Sequence, residues 1–449
     1  MTFEEAEQYV LELPLHTKKN PFAATKAFYE WLGKPGSGFP IIHVAGTNGK
    51  GSVCAYLDSI LSTAGYRVGM FTSPHLVELR ERLLFDHERI GKEAFAGLLG
   101  VLRKRLAEYQ DGTYRPTFFE TLFFLFMLWM EEEKPDGIVL ETGMGGRLDV
   151  TNVVDRPAVV VITRIGLDHC AFLGDTTERI AAEKAGIFKE EIPAVCLETE
   201  SAVTRVFVEK AQKLSVPLVM VSKKEVSLSK IKKNYIDFFL HSAYDRDIET
   251  QLRTIAVYQI ENAALAVRAI EQAGAFFSVG KEQMEEGLSR MKWAARMEEI
   301  MPRVYLDGAH NPDGIVAFLR SIGKDGILGE RFLLFGACAD KEVRQMAHML
   351  QRSGLFAHIR GTLIAGGRGL GAERMQKLFA DEDPEMDFIY RDSVVALREM
   401  AAGLKEQDRL YIVGSLYLAG EIEKHLAAVR AGVCAGSARK DCGTEEEHD

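Results

Sequence analysis

Ile41-Ile42-His43-Val44-Ala45-Gly46-Thr47-Asn48-Gly49-Lys50-Gly51-Ser52 is the stretch that decides how this 449-residue chain is read. It starts as a short apolar run with a β-branched bias, as a buried strand does. The run turns into glycines and ends on Lys-Gly-Ser. Residues 53–64 then carry apolar side chains at Val53, Leu57, Ile60, Leu61 and Ala64, one face of a helix, and Gly65 stands where a C-terminal cap would. Strand, glycine loop, lysine, hydroxyl and helix is the layout of a phosphate cradle. Backbone N–H groups and the helix N-terminus face the anion, Lys50 offers a point charge, and a hydroxyl can reach Mg²⁺. The spacing departs from G-x-x-x-x-G-K-[ST]. Two residues separate Gly46 from Gly49, and Gly51 lies between Lys50 and Ser52. A glycine-rich turn with an incidental lysine is the competing account, and the flanking strand and helix, in the right order, weigh against it.

Further along the chain, the strand–helix rhythm continues. Arg67–Phe71 reads as a strand running into Thr72-Ser73-Pro74-His75, and residues 92–109 have helical apolar spacing. Thr117-Phe118-Phe119-Glu120 opens a very apolar helix, in which Glu120 is expected as a cap or dipole partner. Gly137–Glu141 is an apolar strand ending in a carboxylate. An acidic residue there, downstream of a phosphate loop, suits either Mg²⁺ binding or a capping or ion-pair role, and position alone leaves both open. Ala158–Thr163 leads to Gly166-Leu167-Asp168-His169. Three successive strand ends thus offer Ser73, Glu141 and His169, where ligands collect in a doubly wound sheet. Pro193–Leu197 and Pro217–Val221 are further strands around a helix near 202–214, Tyr235–His241 suggests a hairpin element, and Gln259–Ala273 is a helix carrying Asn262 near its start. Glu298–Pro302, preceded by Trp293-Ala294-Ala295-Arg296-Met297, reads as a linker. Beyond it come strands at Val304–Asp307, Phe332–Gly336, Leu363–Ala365 and Leu410–Ser415. Residues 431–449 are small, polar and charged, and read as a disordered tail.

The composition is that of a globular protein, with 47% hydrophobic and 27% charged residues. A net charge of −10 argues against a dedicated nucleic-acid binder, which would carry a basic face. Met1-Thr2-Phe3-Glu4-Glu5 has no signal-peptide pattern. The most apolar window, Phe118–Met130, is too short to span a bilayer. The six cysteines are scattered without a C-x-x-C, which fits free thiols in a reducing cytoplasm. The expectation is therefore a cytoplasmic protein with no membrane and no nucleic-acid partner.

With these motifs assembled, the chain resembles the Mur ligase superfamily and, within it, folylpolyglutamate synthase/dihydrofolate synthase. Gly46–Ser52, Thr72–Leu76 with Arg80-Glu81-Arg82, Glu141–Asn152 (E-x-G-x-G-G-R-L-D-x-T-N), Gly166–His169 with Phe172–Thr176, Glu183–Ile187, Asp307–Pro312 and Gly414–Tyr417 follow that family's motifs in order, from about residue 40 to 425. The resemblance implies an α/β fold. An N-terminal P-loop ATPase domain with a mostly parallel doubly wound sheet would occupy residues 1–296, and a smaller Rossmann-like C-terminal domain residues 297–430. It also implies a division of labour. Gly46, Thr47, Asn48, Gly49, Lys50, Gly51 and Ser52 would bind the ATP phosphates, with Asn262, Arg296 and Asp307 contacting the nucleotide. Ser73, Glu141 and His169 would ligate Mg²⁺. Lys184 would be carbamylated to help hold a second Mg²⁺, and a monovalent cation would be a further ligand. Lys50, Lys184 and His169 would be the catalytic set. Thr117, Phe118, Phe119 and Glu120, with Arg147, Leu148, Asp149 and Val150, would border the pterin-bearing substrate. His310 and Ser415 would shape the glutamate site.

The implied chemistry is acyl activation. A substrate carboxylate attacks the γ-phosphate of ATP, and the amine of L-glutamate then displaces phosphate from the acyl phosphate, with a reduced folate or dihydropteroate as acceptor. The enzyme would act as a monomer, with hinge motion around residues 293–302. Residues 16–32, Arg164 and the Trp293-Ala294-Ala295 lead-in to Arg296 depart from the family pattern, and they bear on pterin choice rather than on ligase chemistry. Another Mur-superfamily amide ligase with a non-folate carboxylate substrate is the alternative. A peptidoglycan ligase is disfavoured by the short segment before the loop, and a switch NTPase by the shortened loop. A catalytically dead regulator is disfavoured by the presence of Lys50, Glu141, His169 and Lys184 together.

Overall fold

The structure is a computed structural model. It describes residues 1–14, 20–109, 114–222, 224–232, 234–241, 247–380 and 389–440. Residues 16–19 of the 16–32 stretch that departs from the family pattern lie outside these residues.

The chain forms two compact units. Met1–Lys230, Ile236–Arg253 and Gln259–Lys292 make the first; Ile231–Tyr235, Thr254–Tyr258 and the chain from Trp293 onward make the second. Residues 293–296, read from the sequence as the end of the first domain, therefore group with the second.

The first unit holds an eight-stranded sheet. Its strands are β1 (Ile41–Ala45), β2 (Val68–Phe71), β3 (Leu83–Phe85), β4 (Glu88–Arg89), β5 (Gly137–Glu141), β6 (Val159–Ile162), β7 (Ala194–Leu197) and β8 (Leu218–Val221). They lie in the order β4-β3-β2-β5-β1-β6-β7-β8. From β2 to β8 every pairing is parallel. β3 and β4 are antiparallel additions at one edge, an edge not visible in the sequence pattern. The central strands β1, β5 and β6 are buried at every residue, which is why they read as unbroken apolar runs rather than alternating ones. The helix Phe118–Glu133 is apolar nearly all round because it is buried. Phe123, Phe124 and Phe126 join Phe71 and Leu140 in one core. No helix among the described residues is long and apolar enough to cross a membrane. The neighbours β2-β5-β1-β6 bring the loops after four strands to one edge, where sheets of this kind bind ligands.

A three-stranded sheet follows, formed by β9 (Val226–Lys232), β10 (Tyr235–Leu240) and β11 (Ile248–Leu252). The hairpin element expected at Tyr235–His241 is β10, which pairs antiparallel with β11.

The second unit has six strands: β12 (Arg296–Met301), β13 (Val304–Asp307), β14 (Arg331–Phe335), β15 (His358–Thr362), β16 (Ile389–Tyr390) and β17 (Arg409–Val413), ordered β12-β13-β17-β14-β15-β16. All pair in parallel except β12 with β13. Its core gathers Ile255, Ala256, Phe318, Leu333 and Tyr411. Three sequence readings change here. Residues 298–301, expected in a linker, belong to β12, whose two register shifts break the alternation that marks a strand. The strand expected at Leu363–Ala365 lies earlier, at His358–Thr362, where His358 and Arg360 hide its apolar signal. Residues 431–440 of the expected disordered tail continue the helix Leu416–Lys440; alanine and arginine favour helix there, and residues 441–449 lie outside the description.

Candidate active site

The cradle forms where β1 gives way to the helix Lys50–Thr63. Gly49 caps this helix at φ +95°, a left-handed conformation that a side chain would strain, and a Cβ there would overlap Asn262 Oδ1. The helix begins at Lys50, three residues before the apolar stripe that marks it in sequence. Thr47 N and Asn48 N donate to the Arg164 carbonyl at 2.9 and 3.3 Å, and Thr163 Oγ1 donates to Asn48 O at 2.8 Å. These contacts fix the loop. The N–H groups left for an anion are those of the helix's first turn, Lys50 to Ser52, which have no intrahelical acceptor. Gln259 Nε2 donates to Ser52 Oγ at 3.2 Å and is itself held by Asn262, whose Nδ2 donates to Gln259 Oε1 at 2.8 Å. Asn262, expected to contact the nucleotide, borders the loop, while Gln259 and the Arg164 carbonyl went unread. Gln259 lies 207 residues from Ser52 in sequence, and a backbone carbonyl leaves no residue signature.

Lys50 Nζ donates to the carbonyls of Gly46 and Thr47 at 3.1 and 3.3 Å and lies 3.9 Å from Glu141 Oε1. Glu141 is buried at the end of β5, and its Oε2 accepts from Ser73 N at 3.0 Å. Lys50, Glu141 and Ser73 are therefore together. These hard oxygen donors beside a lysine suit Mg²⁺. His169 is half-exposed, with its backbone N–H on Asp168 Oδ1 at 2.9 Å. Among the described residues no three His, Cys, Asp or Glu side chains converge on a metal-sized point, so Glu141 and the Asp168–His169 pair are not gathered into one ligand set. His75 is kept neutral: burial and then Arg82, whose Nε–H donates to Nδ1 at 2.8 Å, push its pKa down to about 4.

Lys184 is only 4% exposed, and its Nζ donates to the Gly46 carbonyl at 2.7 Å. Burial and then the Lys50 charge push its pKa down to about 7, against the opposing pull of Asp168 and Asp149. The segment around Arg147 lies close against the helix Thr177–Lys184. A Cβ at Gly146 would stand 2.8 Å from the Lys184 carbonyl, Arg147 N donates to Glu183 O, and the Arg147 guanidinium pairs with Glu183 at 2.8 Å. Leu148 is exposed at the tip. Asp149 is buried and engaged by four donors: the N–H groups of Gly143, Met144 and Thr151, and the Thr151 hydroxyl. It shapes the loop from within.

Thr117 and Glu120 form a reciprocal capping box on the helix Phe118–Glu133. The Glu120 carboxylate also accepts from Thr25 Oγ1 at 2.8 Å and Asn20 Nδ2 at 3.0 Å. The cap reading of Glu120 matches this geometry. Phe118 lies under the Arg82 guanidinium, and Phe119 packs against Phe71.

In the second unit, Arg296 and Asp307 are opposite one another on β12 and β13. Asp307 is buried and accepts from Ala309 N, Met297 N and the Tyr258 hydroxyl, the last at 2.5 Å. Burial pushes its carboxyl pKa up, opposed by Tyr258 and Arg296. Arg296 Nη1 donates to the Ala295 carbonyl at 2.8 Å. His310 Nδ1 lies 2.8 Å from the Gly308 carbonyl. Ser415 Oγ lies 3.3 Å from Cys338 Sγ and accepts from Tyr417 N at 3.0 Å. Tyr258 and Cys338 carried no motif and were missed.

The chain is similar to known proteins in sequence and fold. Residues 44–270 match the Mur ligase middle domain and residues 289–416 the Mur ligase glutamate ligase domain. A dihydrofolate synthase/folylpolyglutamate synthase of Bacillus subtilis (strain 168) is 33% identical over 409 residues, spanning 88% of this chain and 92% of the relative. The chain belongs to the dihydrofolate synthase/folylpolyglutamate synthase family of Mur ligases. Two solved members of that family are similar throughout. Folylpolyglutamate synthase from Thermotoga maritima superposes with a TM-score of 0.80 at 28% identity, covering 95% of this chain and 96% of that one. E. coli FolC, solved with DHPP and ADP, gives 0.83 at 26%, covering 96% and 99%. Within the folylpolyglutamate synthase family frame, the middle-domain match spans the cradle, Glu141 and Lys184, and the glutamate ligase match spans Arg296, Asp307, His310 and Ser415.

Proposed function

We propose that this protein is an ADP-forming ligase that joins L-glutamate to a folate, extending tetrahydrofolate and also accepting dihydropteroate. The observation that carries the reading is the junction of Lys50, Glu141 and Ser73 beside a helix N-terminus with open N–H groups. A substrate carboxylate oxygen attacks the γ-phosphorus of ATP, the bond to ADP breaks, and an acyl phosphate forms. The glutamate amine attacks that carbonyl, phosphate leaves, and the amine proton is lost. Lys50 and the first-turn N–H groups hold the phosphates and counter the charge that builds on the transferring group. His169, expected as a ligand, is not gathered with Glu141 among the described residues. Ser73 and Glu141 would hold Mg²⁺, and a carbamylated Lys184 would help hold a second Mg²⁺. Bound there, the metal would neutralise phosphate charge.

Lys184 supports this reading through its surroundings. It is a buried amine beside a second cation, Lys50. Addition of its neutral amine to CO₂ with loss of a proton exchanges a repelled cation for an anion. Lys184→Ala should lower turnover, with added bicarbonate unable to restore it. A rate unchanged even at low bicarbonate would rule out the carbamate role.

Free thiols at Cys54, Cys170, Cys196 and Cys338 support a reducing, cytoplasmic setting, and the proposed working form is a monomer. The deciding experiment supplies purified protein with ATP, Mg²⁺ and L-glutamate. ADP should appear only when a folate is added. Tetrahydrofolate and dihydropteroate assayed side by side fix the acceptor range, and ADP release with neither overturns the proposal.

A further inference from the structure

In the second unit the ends of β13, β17, β14 and β15 lie next to one another. The segments after β14 and β15 are tied together. Ala339 N donates to the Arg368 carbonyl at 3.0 Å, Leu370 N donates to the Ala337 carbonyl at 2.9 Å, and Cys338 bridges Gly369. Cys338 in turn touches Ser415, so Arg368 is fixed in sequence and space beside the residue facing that hydroxyl. Its guanidinium lies over the Tyr417 ring, 5.0 Å from the centroid, and donates to the Tyr417 hydroxyl. Tyr417 is itself anchored at the start of the helix Leu416–Lys440, with its N–H on Ser415 Oγ. Arg368 is exposed, and no carboxylate among the described residues pairs with it.

An exposed arginine ordinarily samples many rotamers. This one is stacked on a ring and hydrogen-bonded to it, which presets the direction of a planar fork that still has N–H donors to offer. Such a fork matches a carboxylate in a bidentate way. The first turn of the helix adds positive potential at the same point. Unlike a surface ion pair, the cation has a platform but no anion among the described residues. We propose that Arg368 binds a carboxylate of the incoming amino acid, with Tyr417 positioning it and Ser415 beside it. The proposal rests on the reading of this unit as the glutamate-binding half.

Steady-state kinetics test it. Arg368→Ala should raise KM for L-glutamate ~10- to 100-fold, the range of a lost charge-assisted hydrogen bond, while KM for ATP and for the folate, and kcat at saturating glutamate, stay within about threefold. Arg368→Lys keeps the charge but not the fork and should fall between. Tyr417→Phe keeps the ring but not the hydroxyl and should raise KM for glutamate by a smaller factor. L-glutamine identifies the carboxylate held. If the side-chain carboxylate is gripped, Arg368→Ala narrows the preference for glutamate over glutamine. If the α-carboxylate is gripped, KM for both rises in parallel. An unchanged glutamate KM in Arg368→Ala or Arg368→Lys protein that melts like wild type overturns the proposal. Wild-type protein showing no glutamate-dependent ADP release would instead overturn the ligase reading, so the two failures are separable.

Discussion

Lys50 is positioned before any nucleotide arrives. Two loop carbonyls accept from its ammonium, and Glu141 sits within 4 Å of it. Its replacement by alanine removes charge from the transferring phosphoryl group without emptying the core. Lys50→Ala should therefore lower kcat/KM for ATP by about 10²- to 10³-fold with an unchanged melting temperature, as read by initial rates and thermal unfolding. Retained activity would remove Lys50 from the chemistry. Lys50, Gly49 and Glu141 were legible because their chemistry is local: each sits where a strand ends or a helix starts. Gln259 was not, since only the fold brings it to Ser52. Asp149 was read as a substrate neighbour because it lies in a signature. Its four donors come from residues 143–151, which marks it as the brace of that signature loop.

The helix Phe118–Glu133 depends on its first turn. Glu120 closes the capping box and receives Thr25 and Asn20 from the N-terminal segment, so one carboxylate orders a helix start and its neighbours. Glu120→Ala leaves buried donors without an acceptor and should cost roughly 2–4 kcal/mol in denaturant unfolding. A loss under about 0.5 kcal/mol would show that these bonds are replaceable by water. Helices and central strands were readable because periodicity and burial coincide in them. β12 was lost to its bulges and β15 to its polar residues, both cases in which tertiary pairing overrides the local pattern.

The two-unit plan, with a mostly parallel first sheet, was legible in the order of motifs. Nucleotide binding at the cradle should stabilise the folded protein by about 2.7 kcal/mol at 100 times Kd, seen as a rise in melting temperature with a non-hydrolysable ATP analogue. Lys50→Ala should lose most of that rise, and an equal rise in both proteins would place the nucleotide elsewhere. The sequence could not announce that neither unit is one continuous piece. Thr254–Tyr258 joins the second unit before Gln259–Lys292 returns to the first. The ribosome therefore delivers Ile255 and Ala256, part of the second core, ahead of the helix that completes the first unit. A truncated gene beginning at Trp293 would encode a second unit without them. It would also leave the buried Asp307 carboxylate without the Tyr258 hydroxyl. The second half of this chain is therefore not a portable module.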